Sequence, residues 1–127
     1  MDLFIKYERL LKVLGQANRL RIVKCLAVRD LCVCELETVL GMNQPSISQH
    51  LRALKDAGLV RERREGQWVF HSLDREALVA ASMGLKTILE TSPDELEGFR
   101  REAAALSRLA QDPIVSCREC EGKKRGR

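Results

Sequence analysis

Residues 33 to 73 constrain the fold most strongly, because two short helical patterns joined by a tight turn are followed directly by two strand patterns. The spacing predicts a first helix from about Val33 to Leu40, ended by Gly41 as a helix C-terminal glycine. Asn43 or Gln44 is expected to cap a second helix. Three apolar residues at helical spacing mark its inner face: Ile47, Leu51 and Leu54. This arrangement is typical of a helix-turn-helix unit, whose second helix lies in the major groove of DNA.

The segment after this unit has the composition of strands. Leu59 to Arg64 and Gln67 to Leu73 are rich in strand-forming residues, and Glu65-Gly66 between them predicts a hairpin turn. A helix-turn-helix followed by a basic hairpin is typical of a winged helix, so we expect a mainly α fold with a small β-hairpin. Trp68 and Phe70 are expected to pack on the neighbouring helix rather than to stack on bases.

Helical patterns flank the winged helix on both sides. Two amphipathic helices are expected before it, over Leu3 to Leu14 and from Leu20 to Ala27, and Asp74 is expected to cap a long helix after it. A capping box at Ser92–Glu95 predicts that a last helix starts there and runs to about Ala110. These terminal helices carry more apolar residues than a small domain can cover. They favour a homodimer joined through the terminal helices, with packing inside one chain as the alternative.

The composition fits one small soluble domain. The chain has 127 residues, 4% of them aromatic, and no apolar run approaches the length of a membrane span. The N-terminus has no secretory leader pattern and the cysteine count of five is odd, so we expect reduced thiols and a cytoplasmic protein. The expected organisation is one DNA-binding and dimerisation domain over residues 1–110 and a mobile, basic, cysteine-containing tail over 111–127.

The net charge of +4 is weak evidence for nucleic-acid binding, because the last seven residues contribute most of it. The local distribution says more, since residues 44 to 64 contain five basic and two acidic side chains. Side chains projecting from the second helix and the hairpin are expected to contact bases and phosphates of double-stranded DNA. The expected contact residues are Gln44, Ser46, Ser48, Gln49, His50, Arg52, Arg63 and Arg64. For His50, a packing role and a phosphate contact are both open.

Cys32 and Cys34 lie two positions apart at the entrance to the first helix of the helix-turn-helix. Thiolates are soft ligands, and a helix N-terminus favours their ionised form. The pair is therefore a candidate metal site, and small buried apolar side chains are the structural alternative. Cys117 and Cys120 in the tail are further ligand donors, a redox pair or incidental thiols. Cys25, at an apolar helix position, is expected in the core.

Over residues 3–73 the chain resembles the ArsR/SmtB family of winged-helix metalloregulatory repressors. Residues 14–22 (LGQANRLRI), 44–51 (QPSISQHL) and 63–70 resemble the family's second-helix entry, recognition helix and wing. Residues 31–36 (LCVCEL) resemble the thiol box of its arsenic-responsive and cadmium/lead-responsive branches. The resemblance implies a repressor that binds a palindromic operator as an apo dimer, without a cofactor in the DNA-bound form, and leaves DNA when a metal binds.

The inducer that the resemblance implies is As(III) or Sb(III), bound by cysteine thiolates. A third cysteine of the arsenic branch commonly falls where this chain has Glu37, and residues 74–90 lack the histidine ligands of the zinc-responsive branch. Cd(II) or Pb(II), which accept three or four soft ligands, and a disulfide switch among the same thiols are the alternatives. The cysteines have no evident base beside them in the sequence, so an enzyme is not expected.

Overall fold

The computed structural model describes residues 2–111. The elements in chain order are α1 (Leu3–Leu14), α2 (Ala17–Val28), α3 (Val33–Leu40), α4 (Gln44–Asp56), β1 (Val60–Glu65), β2 (Trp68–Leu73), α5 (Arg75–Glu90), a 3₁₀ turn (Pro93–Glu95) and α6 (Arg100–Gln111). They form the expected winged helix-turn-helix, mainly α with a two-stranded hairpin. Contacts divide the chain after Glu90 into two compact units. The expected domain over 1–110 stays a prediction, and the expected tail lies, beyond its first residue, outside the described residues.

The helix-turn-helix of α3 and α4 forms where the sequence predicts it, because local signals fix both helix ends. α3 ends at Gly41, whose φ of 66° lies in the left-handed region that glycine adopts without a Cβ clash. α4 begins after Asn43, whose side chain accepts the backbone N–H of Ser46 at 2.9 Å. Asn43 is therefore the cap, and Gln44 is the first residue of the helix.

β1 and β2 pair in antiparallel register and form the wing. Glu65 is paired with Trp68, so the turn consists of Gly66 and Gln67, one position later than the predicted Glu65-Gly66. Gly66 has a φ of 61°, as the first position of a two-residue hairpin turn requires, and Glu65 is free to close the strand. Trp68 keeps 50% of its surface exposed and Phe70 is half-buried, and the expected packing of the two rings on the neighbouring helix stays a prediction.

The core of the first unit joins α2, α3 and α4 to the start of the wing. Ile22 and Leu26 of α2, Leu36 of α3 and Leu59 before β1 are at most 2% exposed. The predicted inner face of α4 lies in the same cluster: Ile47, Leu51 and Leu54. Cys25 packs half-buried against this cluster, as expected. Because burial of one such aliphatic side chain is worth about 1.5–3 kcal/mol, this shared cluster fixes α4 relative to α3 and the wing.

α5 starts where the sequence predicts, whereas the last helix, α6, starts later than predicted. The Asp74 carboxylate accepts the backbone N–H of Ala77 at 3.0 Å and caps α5. The predicted helix start at Pro93 gives only a 3₁₀ turn, and α6 begins at Arg100. Gly98 lies between them with a φ of 85°, and an α-helix cannot continue through a left-handed residue. Among the helices of the described residues, none is long and apolar enough to cross a membrane.

Candidate nucleic-acid interface and thiol site

α4 presents a polar face to solvent, opposite the apolar face that joins the core. Gln44, Ser48, Gln49 and Arg52 are exposed on this helix, whereas Ser46 is half-buried beside its cap. Amides, hydroxyls and guanidinium groups bind base edges and phosphates, and the major groove admits a helix of this kind. This exposed polar face is accessible to a DNA groove, and contact by each of these side chains stays a prediction.

Two basic side chains near this face are held by acidic partners. Lys55 Nζ lies 3.1 Å from Glu62 Oε1, and Arg61 Nη2 lies 2.7 Å from Asp74 Oδ2. Arg52 forms no ion pair with any residue in the range 2–111. The positive charge available to DNA is therefore concentrated on fewer side chains than the sequence count suggests.

The two wing arginines differ in their surroundings. Arg63 Nη1 lies 2.6 Å from Asp30 Oδ2, Nε donates to Glu65 Oε2 at 3.0 Å, and the guanidinium lies 5.1 Å from the centroid of the Phe70 ring. The carboxylates of Asp30 and Glu65 raise the pKa of Arg63. Arg64 is exposed and has no ion-pair partner in the described part of the chain. Arg64 is thus the wing cation free to meet a phosphate, whereas Arg63 is held against the loop that precedes α3.

His50 is 8% exposed, which supports a packing role, and its contact with DNA stays a prediction. Its Nδ1 accepts a hydrogen bond from Arg19 Nε at 3.2 Å, and Arg19 also donates to the Val13 carbonyl at 3.3 Å. Burial, and then the Arg19 charge, lower the pKa of His50, which favours the neutral imidazole that can accept this hydrogen bond. The role of Arg19 could not be found from the sequence, because a contact across 31 residues leaves no local signal.

Cys32 and Cys34 do lie together at a helix start. Cys32 is the N-cap residue of α3, with extended backbone (φ −91°, ψ 171°) and 7% exposure, whereas Cys34 is exposed in the first turn. Cys32 and Glu35 form a capping box, in which Glu35 Oε1 accepts the Cys32 backbone N–H at 3.0 Å. That backbone hydrogen bond is the main cause of a lowered pKa of Glu35. Cys32 therefore closes the start of α3 from a buried position.

The donor set at the start of α3 suits a soft ion but is incomplete in the described residues. Cys32 lies outside the helical turn, so it escapes the geometry that directs residues two apart to nearly opposite sides of a helix. Within residues 2–111 no group of three or more His, Cys, Asp or Glu is placed to hold a metal ion. Cys117 and Cys120, the expected further donors, lie outside that range. At the start of α3 the described chain therefore offers two thiols, those of Cys32 and Cys34.

α1 and α5 expose a large apolar surface. A groove of about 690 Å³ runs between α1, the end of α4 and α5, with Lys6, Arg9 and Lys12 at its rim. Six large apolar side chains of α1 and α5 remain 47% to 76% exposed: Ile5, Leu11, Val79, Met83, Leu85 and Leu89. Apolar patches of this kind are typical of protein–protein contacts, and this one lies on helices predicted to form the dimer.

Comparison with known proteins finds relatives of this chain. Residues 16–62 match the family described as bacterial regulatory protein, arsR family. The chain is 33% identical over 105 residues to the arsenic resistance transcriptional regulator ArsR1 of Pseudomonas putida, covering 82% of each protein. It is 44% identical over 71 residues to the arsenical resistance operon repressor of Escherichia coli, covering 55% of this chain and 61% of that protein. A solved homodimeric winged helix-turn-helix DNA-binding domain from Mycobacterium bovis is 29% identical, with a TM-score of 0.58 and coverage of 69% and 82%.

Proposed function

Because the chain belongs to the arsR family of bacterial regulatory proteins, we propose that it is a repressor that binds a palindromic operator as a homodimer and releases it on binding As(III) or Sb(III). Family and fold make it a transcriptional regulator and not an enzyme. One observation carries the inducer proposal: Cys32 and Cys34 lie at the start of α3, the helix that packs on α4. An ion bound there acts directly on α3, the helix that supports the DNA-reading helix α4.

DNA binding in this proposal uses α4 in the major groove and the wing against the backbone or the minor groove. Arg52 and Arg64, the unpaired cations of the described α4 and wing, supply the strongest phosphate contacts. The proposed two-fold axis passes through the exposed apolar face of α1 and α5. The solved domain from Mycobacterium bovis, described as homodimeric, supports a dimer of this kind. A second copy covers that face and places a second α4 on the other operator half-site. Such a repressor works in the cytoplasm, where its operator is.

The inducer chemistry needs no oxidant or reductant. Arsenite, As(OH)₃, exchanges hydroxyl groups for thiolates, so each As–S bond releases one water formed from a hydroxyl and the thiol proton. Cys32 and Cys34 supply two bonds, and the third position is filled by Cys117, Cys120, Glu37 or a retained hydroxyl. Bond formation draws the Cys32 thiol out of its buried capping position. Because Leu36 of α3 lies in the same core as α4, a distorted α3 biases the dimer away from the DNA-bound conformation.

The test is fluorescence anisotropy of a labelled duplex from the gene's own promoter, with fully reduced protein titrated with arsenite. Saturating arsenite is expected to raise the operator Kd by about 5- to 150-fold, the usual range of such coupling. Cys32→Ser and Cys34→Ser should each bind the operator normally but lose most of this response. Cys25→Ser, which alters a half-buried thiol of α2, is the matched control and should keep it. Normal release from Cys32→Ser or Cys34→Ser contradicts the assignment.

The same assay separates the alternatives. Release by Cd(II) or Pb(II) without release by arsenite selects the other soft-ion inducers. Release by an oxidant, reversed by a thiol reductant, selects a disulfide switch. Cys117→Ser and Cys120→Ser identify the third ligand, because its loss weakens arsenite binding without abolishing it.

The dimer is tested independently of the inducer. Leu89 is 76% exposed on α5, so Leu89→Glu should leave the fold intact while placing a charge in the interface. Sedimentation equilibrium is expected to show a dimer for the unaltered chain and a shift toward monomer for the variant. A monomer in both cases contradicts the homodimer.

A further inference from the structure

The two residues that precede Cys32 are bound to the wing. Leu31 and His71 of β2 exchange both backbone hydrogen bonds, from Leu31 N–H to His71 O at 3.1 Å and from His71 N–H to Leu31 O at 2.8 Å. Leu31 is also 6% exposed within the core. It therefore acts as a one-residue third strand that fixes β2 to the loop before α3.

The other wing strand is fixed to the same loop by an ion pair. Arg63 of β1 bonds to Asp30 Oδ2 at 2.6 Å, while Glu65 and the Phe70 ring hold the guanidinium on its other sides. A guanidinium fixed in this way transmits a displacement of Asp30 better than a freely rotating surface pair does. Both strands of the wing are thus attached to Asp30 and Leu31.

No residue separates this attachment from the thiol site. Cys32 follows Leu31 directly, and its backbone N–H is held by Glu35 in the capping box. One planar peptide links Leu31 to Cys32, so only the ψ of Leu31 and the φ of Cys32 can absorb a movement between them. A change of the Cys32 backbone that frees its thiol must either strain Leu31 or move it with the wing.

We propose that the wing transmits inducer binding at Cys32 to DNA, with Asp30 as the positioning residue that couples the two. The inference rests on the proposed function and adds a second route to the contact of α3 with α4. The DNA-reading helix has its own cap at Asn43, whereas the wing depends on the loop before Cys32 for two of its attachments. When the loop moves, Arg64 at the wing loses its position against the phosphate backbone, and operator affinity falls.

The experiment compares Asp30→Ala with a control that matches it in charge and exposure. Glu62→Ala also removes one negative charge from an exposed ion pair of the wing, but its partner is Lys55 of α4 rather than the thiol loop. Operator Kd is measured by anisotropy with and without saturating arsenite, in the full-length chain. The ratio of the two values is expected to fall about two- to fivefold in Asp30→Ala, the effect of one ion pair, and to stay unchanged in Glu62→Ala.

Trp68 gives a direct measure of the wing in the absence of DNA. It is the only tryptophan of the chain and is half exposed at the start of β2. Arsenite should change its fluorescence in the unaltered chain and in Glu62→Ala, and change it less in Asp30→Ala. Mass spectrometry of the arsenite adduct verifies binding in each variant.

The outcomes distinguish a failure of the wing route from a failure of the proposed repressor function. If arsenite releases the unaltered chain and the ratio is the same in all three proteins, the wing route is refuted while the repressor proposal stands. If the Trp68 fluorescence does not change when arsenite is bound, the wing route is refuted in the same way. If the unaltered chain neither binds arsenite nor leaves DNA, the proposed function fails and the wing route fails with it.

Discussion

Gly84 permits a close approach of α5 to α1 that a residue with a Cβ atom at this position would prevent. A Cβ built at Gly84 would lie 1.8 Å from Cε1 and 2.1 Å from Cζ of Tyr7 in α1. Carbon atoms in favourable contact are about 3.5–4.0 Å apart, so an alanine here forces the ring or the helix to move by more than an ångström. Glycine inside a helix costs about 1 kcal/mol relative to alanine. The chain accepts that cost at the contact of two helices that the proposed dimer uses.

The predicted effect of Gly84→Ala changes sign with its neighbour. In the unaltered chain, overpacking of this kind costs about 1–3 kcal/mol, which exceeds the helix-propensity gain of about 1 kcal/mol. We therefore expect net destabilisation of up to about 2 kcal/mol. In a Tyr7→Ala background the ring is gone, and Gly84→Ala should stabilise the protein by up to about 1 kcal/mol.

The assay is urea unfolding followed by circular dichroism at several protein concentrations, because dimerisation makes apparent stability concentration-dependent. Lys86→Gly, at an exposed position two residues along α5, calibrates helix propensity and should destabilise both backgrounds equally. The double-mutant cycle isolates the contact between Tyr7 and residue 84. The reasoning is refuted if Gly84→Ala has the same sign and size of effect with and without the Tyr7 ring.

Three further predictions concern the DNA-binding unit. Asn43→Ala removes the side-chain cap of α4 and should lower the unfolding free energy by about 1 kcal/mol in urea titrations, while Asn43→Asp retains most of it. Burial lowers the pKa of His71, so the unfolded chain binds the proton more readily than the folded one. Stability should therefore be fully present above the ordinary histidine pKa and decline as pH falls through it, with a flatter profile for His71→Gln. Arg64→Gln should reduce the slope of log Kd against log salt by about 0.9 per subunit, about 1.8 for the dimer. Arg63→Gln should reduce it by less, because Arg63 is already paired; equal slopes for all three proteins would contradict this.

Most of the fold could be predicted from local sequence signals, and the predictions that failed share a physical reason. The Asn43 cap and the Gly41 stop act within one helical turn, so the bounds of α3 and α4 could be predicted from neighbouring residues. The pattern at Pro93 satisfied the same local rule, yet Gly98 five residues later adopts a left-handed φ and keeps that turn from becoming a helix. A local capping pattern cannot by itself show how far a helix continues.

The candidate site divides in the same way. The thiol pair and the exposed face of α4 could be predicted, because each lies within a single element. The ion pair of Arg63 with Asp30 spans 33 residues, and the hydrogen bond of Arg19 with His50 spans 31. Neither partner carries a local mark of the other, since Asp30 and Arg19 look like ordinary surface residues in the sequence. Folding brings them together through the core around Leu36.

The capping role of Cys32 gives the proposed sensor a threshold. Because the proposed binding draws the Cys32 thiol out of its buried position, the closed helix start and the arsenic-bound state compete. The free energy that holds the helix start closed is subtracted from the affinity for the inducer. The concentration at which the repressor leaves DNA is then set partly by Glu35, which need not touch the ion. Related proteins of this kind can become more or less sensitive to arsenic by a change at the position of Glu35 alone. Their metal ligands and their DNA-reading face then stay as they are.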